Sequence, residues 1–414
     1  MKSFSHAFSR IGTESAFSVG PEIAGWVNRG YDMVRLNIGE PGDNIPQVST
    51  KAIIESVKRH ETHYMPAAGT DSLREEIANY LSITRRVKYK KEDIVVSPGG
   101  KPVIGGTIQI LVDPGDEVIY PTPGYPIYES FVDLVGAVKK PIILKEEKSF
   151  RFDISDLKKL VSAKTKLLIL NSPSNPTGGV LTKEDLEEVA KLANKYDFYI
   201  LSDECYSRVI FGKGFRKVNF KGNKIPVAPS IVNISGMAER TVILHAFSKT
   251  YCMTGLRVGF AASKIKDFMS KFTTFAINYW SCLPAPIMAG ALAALGKSQK
   301  EAQSVIADYQ DKRDMAVEML NDIRDIKCHK PEGSFYLFPN VTEVCKRKGF
   351  ANSETLRKHL LSFDKKKKRG VAVLARIHFG KPLPGEREDY IRLCFAGKKD
   401  LLAEGIRRIK EAVE

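Results

Sequence analysis

Lys249 and Arg257, eight residues apart, are the side chains with most scope for chemistry in this 414-residue chain. Lys249 ends an apolar β-type run (241–247), and Arg257 sits in a glycine-flanked Gly-Leu-Arg-Val-Gly turn (255–259). Lysine is almost never buried without a partner. Around it stand Phe247, Tyr251, Met253, Leu256, Val258 and Phe260, too apolar a company for a solvated face. Lys249 is therefore either an ordinary surface residue or an amine whose pKa is lowered by an apolar site. In the second case its lone pair is free for Schiff-base chemistry with a carbonyl.

Other polar groups stand at comparable places. Pro98-Gly99-Gly100-Lys101 opens a helical stretch, where unpaired backbone N–H groups favour phosphate. Gly100 to Thr107 has the form G-x-x-x-x-G-G-T, which lacks the lysine a P-loop requires after its second glycine. Asn175 precedes Pro176 and is held extended, either as a plain turn or as a ligand. Asp203 either caps a helix or faces a cationic ring nitrogen, whose proton it would then help retain.

These residues need a frame that brings them together. Runs at 94–97, 117–120, 167–170, 198–201 and 242–245 lack polar alternation and are interspersed with helical segments. Such strands are buried on both faces, which predicts an α/β fold whose mostly parallel, seven-stranded-type sheet is sandwiched by helices. Ligands then collect at the strands' carboxyl ends. The spacing predicts helices over 47–59 and from 70 onward, with Leu73, Ile77, Tyr80 and Leu81 on one face, and a capping box at Thr182 and Asp185. Residues 11–27 read as an arm without strong period, and 33–38 as a short strand. From 284 the chain turns helical through 319, then strand-like near 334–338, 371–374 and 390–395. The expected division is an arm with part of a small domain (1–46), a large domain (47–285) and a small α+β domain (286–414).

Taken in order, SNPTG (174–178), SDECY (202–206), FSKTYCMTGLRVG (247–259) and YIRLCFA (390–396) resemble the motifs of fold-type I pyridoxal phosphate (PLP) enzymes. The similarity is to class I/II aminotransferases, in particular the aspartate aminotransferase branch with GGK (99–101), and runs from about residue 11 to the last helix. The resemblance implies PLP as cofactor, a Schiff base on Lys249, and a free Lys249 amine that shuttles the substrate proton. It implies that Asp203 pairs with the pyridine nitrogen, that Asn175 and Tyr206 bond the ring oxygen, and that Tyr125 stacks on the ring. Gly99, Gly100 and Arg257 would hold the phosphate, with Ser248 as a candidate substitute for the hydroxyl residue that Ala246 replaces. Arg392 would take the substrate α-carboxylate, Gly39 would line the substrate pocket, and Tyr64 would reach the phosphate of a second subunit in a homodimer. Lys101 would meet the distal carboxylate of aspartate, giving transamination with a 2-oxo acid such as 2-oxoglutarate. Phe17, on the arm, favours apolar or aromatic substrates instead. The segment at 374–379, Leu-Ala-Arg-Ile-His-Phe, predicts a bulkier or more cationic pocket wall. The alternatives are an aminotransferase for alanine, aromatic or other apolar amino acids, a β-eliminating carbon–sulfur lyase, and a PLP-sensing DNA-binding regulator. The last would need a DNA-binding domain ahead of a match that begins within the first twenty residues.

Bulk properties agree. Hydrophobic residues at 43% and charged residues at 27% describe a soluble globular protein, and the length suggests about two domains. The formal charge of +16 comes from lysines spread along the chain, so a solvated basic surface is expected rather than a nucleic-acid partner. The dense basic run at 365–369 is expected to be an exposed loop. Six cysteines without a C-x-x-C pair imply neither zinc nor disulfides, and a cytoplasmic location. No run of about 18 apolar residues is present to span a membrane, and the first ten residues are too few for a convincing transit peptide.

Overall fold

A computed structural model describes residues 4–12, 15–212 and 214–414. After β1 (Asp32–Arg35), the main sheet is built from β2 (Ile94–Ser97), β3 (Glu117–Thr122), β4 (Val138–Lys145), the two-residue β5 (Arg151–Phe152), β6 (Thr165–Asn171) and β7 (Tyr199–Asp203). A separate hairpin follows, β8 (Arg216–Phe220) and β9 (Asn223–Val227), and then β10 (Thr241–Ala246) and β11 (Gly259–Ser263) complete the sheet. The spatial order is β2-β11-β10-β7-β6-β3-β4-β5. Strands β10, β7, β6, β3 and β4 are mutually parallel; β11 is antiparallel to both its neighbours, and β5 is antiparallel to β4.

Burial on both faces explains the unbroken apolar runs. Every residue of β2, β3, β10 and β11 is buried. Successive side chains go to opposite faces. In β10, Ile243 joins one core cluster with Leu73, Ile77 and Val189 from the helices Asp71–Arg85 and Lys183–Tyr196. Its neighbours Val242 and Leu244 join another, with Ile104, Ile108, Val132 and Phe272 from the helices Lys101–Leu111, Ile127–Val135 and Phe268–Tyr279. The capping box forms as expected, with the Asp185 amide donating to Thr182 Oγ1 (3.2 Å) and the Thr182 amide donating to Asp185 Oδ2 (2.9 Å).

A smaller assembly contains β12 (Tyr336–Leu337), β13 (Arg369–Ala372), β14 (Leu374–Ala375) and β15 (Ile391–Cys394). Strand β1 pairs in parallel with β13, and β15 lies between β12 and β14. Val34 and Leu36 from the arm share a core there with Tyr309, Leu320, Leu402 and Ile406.

Several expectations needed correction. The arm carries a helix, Gly20–Asn28, whose buried face is Ile23 alone, so no period was visible. The helical stretch beyond 284 is two helices, Ala285–Lys297 and Gln299–Asn321, meeting at Ser298. Of the basic run, Lys365 to Lys368 are exposed on a turn, but Arg369 opens β13 and pairs with Asp364 (2.8 Å) and Glu411 (2.7 Å). Strands β4 and β11 and the β8–β9 hairpin were not anticipated.

One buried group makes the fold pH-sensitive. His245 in β10 stacks on Phe260 (5.4 Å, 4° between planes), and Ser207 Oγ lies 3.1 Å from its Nε2. Burial, aided by the nearby Arg85 and Arg208 charges, pushes its pKa down to about 3. Below about 6.5 the unfolded chain binds a proton that the folded chain refuses. From this residue, stability therefore declines by about 1.4 kcal/mol per pH unit between about 6.5 and 3. Urea unfolding of His245→Gln should show a shallower loss between pH 6 and pH 4 than the parent; an identical slope would assign the acid sensitivity elsewhere.

Candidate active site

The carboxyl ends of five co-directional strands deliver polar segments to one side of the sheet. Strand β2 leads to Gly99, Gly100 and Lys101; β3 to Tyr125; β6 to Asn175; β7 to Asp203 and Tyr206; β10 to Ser248 and Lys249. Because β11 runs the opposite way, its start lies at the same edge, and Arg257 comes with it. The arm contributes Gly39, and β15 contributes Arg392. Together with Phe17, all of these except Gly99 line a cavity of about 480 Å³, a size usual for small-molecule sites. Gly99 sits just behind Arg257. Tyr64 lies outside the cavity and is 90% exposed.

Lys249 occupies the short helical turn Phe247–Thr250. Its Nζ donates to the Gly39 carbonyl (2.7 Å) and lies 5.3 Å from the Phe335 ring centroid and 5.9 Å from that of Tyr206. Only glycine fits at position 39, because a Cβ there would lie 2.0 Å from the Tyr336 hydroxyl. The backbone is thereby brought close to the lysine.

Asp203 ends β7, fully enclosed. The Tyr128 hydroxyl (2.6 Å) and the Cys205 amide (3.1 Å) donate to its two oxygens. Both are neutral donors. Burial pushes the Asp203 carboxyl above its ordinary value, so a cation laid against it would be gained at little further cost. Burial likewise pushes the Tyr206 phenol well up, so it is a hydroxyl at neutral pH and can donate.

At another side of the cavity Gly99 has φ +86°, a conformation open to glycine, and a Cβ there would lie 2.4 Å from Arg257 Nη2. Gly100 precedes the helix Lys101–Leu111. A guanidinium beside a helix start is a natural receptor for a dianionic phosphate. Ala246 and Ser248 both line the cavity nearby.

Arg392 is almost wholly buried. Its Nη1 donates to Asn175 Oδ1 (3.1 Å), its Nη2 to the Asn37 carbonyl, and its guanidinium lies over Tyr336 (4.4 Å) and Phe379 (5.1 Å). Arg392 Nε is buried without a hydrogen-bond partner among the described residues. Lys101 Nζ stands 5.2 Å from the Phe17 ring centroid, and both residues line the cavity. The expected bulkier or more cationic wall is corrected: no residue of 374–379 lines the cavity, Arg376 pairs with the Glu386 carboxylate (2.5 Å) and reaches Thr122 Oγ1 (3.1 Å), and Phe379 packs against Arg392.

Sequence reasoning missed Tyr128 and Tyr336. Tyr128 is three residues past Tyr125 on the first turn of the helix Ile127–Val135, and nothing local links it to Asp203. Tyr336 lies in a segment correctly read as strand-like, where its alternation with Phe335 and Leu337 was the available signal.

The sequence matches the family of class I and II aminotransferases over residues 31–409. The chain belongs to that family. It is 33% identical over 388 residues to an aspartate aminotransferase of Bacillus subtilis, covering 93% of this chain and 92% of the relative. Among solved structures, the aspartate aminotransferase of Rhizobium meliloti superposes with a TM-score of 0.88 at 25% identity, covering 100% and 99% of the two chains. An aromatic aminotransferase of Pyrococcus horikoshii gives 0.82 at 31% identity, covering 94% and 98%. This aminotransferase therefore catalyses transfer of an amino group between an amino acid and a 2-oxo acid. Its cavity is lined by the Lys249 amine, the buried Asp203 carboxyl and the guanidinium groups of Arg257 and Arg392. Among the described residues, no helix is long and apolar enough to cross a membrane and no cluster of metal ligands occurs.

Proposed function

We propose that the aminotransferase works with PLP bound by Lys249 and takes aspartate, passing its amino group to a 2-oxo acid such as 2-oxoglutarate. The observation that carries the cofactor reading is the placement of Lys249 and the buried Asp203 in one cavity whose edge holds the Gly99–Arg257 cradle. When bound, PLP supplies an electron sink for the negative charge that develops at the substrate α-carbon. Asp203 would keep the ring nitrogen protonated, Tyr206 and Asn175 would bond the ring oxygen, and Tyr125 would pack on the ring. Gly99, Gly100, Ser248 and Arg257 would hold the phosphate. Lys249 would hold the cofactor and, as a free amine, would carry the proton taken from the substrate α-carbon.

Aspartate is favoured because Arg392 and Lys101 present two cations to the same cavity, one for each carboxylate. The names of relatives such as the Bacillus subtilis protein point the same way. Residues 1–46 would be an arm with part of a small domain, 47–285 a large domain and 286–414 the rest of the small one, in a homodimer whose partner site the exposed Tyr64 would reach; the arm's first helix, His6–Arg10, lies against the large domain, with Arg10 Nε donating to the Asp133 carbonyl (2.8 Å). Six free cysteines suit a cytoplasmic location.

Borohydride reduction of the PLP-loaded protein followed by peptide mapping should label Lys249; label on another lysine, or none, would overturn the cofactor reading. A second reading, an aromatic donor, is favoured by the Phe17 ring against Lys101 and by the likeness to the Pyrococcus enzyme. Steady-state rates with aspartate, alanine, aromatic and branched donors decide between them. Aspartate should lead, and negligible aspartate turnover beside a fast aromatic donor would replace it.

A further inference from the structure

Tyr336 touches three parts of the site at once. Its hydroxyl lies 2.8 Å from the Tyr206 hydroxyl, its ring carries the Arg392 guanidinium at 4.4 Å, and it packs against Gly39 so closely that no side chain fits there. Both tyrosines are buried, Tyr336 to 2% exposure. The contact between them spans 130 residues of sequence, joining β12 of the smaller assembly to the turn after β7.

A hydrogen-bonded hydroxyl pair shares its protons in order. If Tyr336 donates to Tyr206, the Tyr206 proton is left to point elsewhere, and accepting a bond makes Tyr206 a stronger donor. The ring face of Tyr336 acts separately: a guanidinium held over an aromatic ring loses less freedom when it receives a carboxylate.

Building on the PLP reading above, we propose that Tyr336 is a positioning residue for transamination: its hydroxyl aims the Tyr206 proton at the cofactor's ring oxygen, and its ring face sets Arg392 for the substrate carboxylate. The two actions depend on different atoms and can be separated.

Tyr336→Phe removes the hydroxyl and keeps the ring; Tyr336→Leu removes both. In the PLP-loaded protein, titration of the visible absorption band reports how well the ring oxygen is stabilised as an anion. Tyr336→Phe should raise the band's apparent pKa by about 0.5–1 unit, with affinity for succinate, an unreactive dicarboxylate, within about twofold of the parent. Tyr336→Leu should raise the pKa similarly and weaken succinate by about tenfold. An unchanged pKa in Tyr336→Phe overturns the first action, and undiminished succinate binding in Tyr336→Leu overturns the second. Because Tyr336→Phe retains the ring volume, it stays informative if the leucine variant misfolds. A parent protein without any visible band would sink the Schiff-base reading and this inference with it, whereas a band that ignores Tyr336→Phe sinks this inference's first action alone.

Discussion

Lys249→Ala should lower kcat for transamination by about 10²–10⁴-fold, the range expected when a positioned proton-transfer group is removed, and on the proposed cofactor site the protein should still take up PLP. The geometry motivates both halves of that result. Lys249 Nζ lies within the cavity at 2.7 Å from the Gly39 carbonyl, whereas Gly99 and Arg257 belong to different segments. Lys249→Arg is the sharper comparison. Arginine keeps the positive charge but stays protonated, so it neither attacks a carbonyl nor moves the proton. Single-turnover measurements with excess aspartate should show both variants slowed by about 10²–10⁴-fold together. An arginine variant with a tenth or more of the parent rate would mean that charge alone, and not the amine, is what position 249 contributes.

Asp203→Asn is the second large effect, a fall of about 10²–10³ in kcat, comparable to losing one preorganised electrostatic group at a reacting centre. Asparagine has nearly the same shape and can still accept from the Tyr128 hydroxyl, which now sits 2.6 Å away. Packing is preserved and the charge is not. A buried carboxylate whose pKa is raised by desolvation becomes a firm anion only beside a cation, so its removal should be felt chiefly when the ring nitrogen must hold its proton. The loss should therefore appear in kcat, with PLP bound per chain little changed. Tyr128→Phe should have a milder effect in the same direction. A kcat for Asp203→Asn within about threefold of the parent would remove Asp203 from the chemistry.

The apolar runs, the Thr182 capping box and the polar segments after each strand were legible because each is written in neighbouring residues. Burial on both faces erases alternation in β2, β3 and β10, and that erasure is itself the signal. Helix Gly20–Asn28 stayed hidden since only Ile23 is buried on it. Strand β11 went unread because Gly259, Ala261 and Ala262 lack the β-branched bulk that marks a strand, although small residues suit a position between two close neighbours. Its antiparallel course is what brings Arg257 to the site edge. The cationic wall expected from Arg376 failed for a related reason: ten residues on, Glu386 claims the guanidinium, and sequence alone does not say which carboxylate a buried arginine will meet.

By itself, then, the sequence determined the kinds of groups present and their order along the chain: Lys249 before Arg257, Asp203 before Tyr206, Asn175 before a proline, Arg392 in a late strand. Such information is local. The tertiary structure decided which of them meet, through contacts 75, 130 and 210 residues apart in Tyr128–Asp203, Tyr206–Tyr336 and Gly39–Lys249. Those pairings depend on strand order and on where the arm lies against the sheet. They are set by how the apolar faces pack, which fixes distances that no spacing of residue types along one chain can encode.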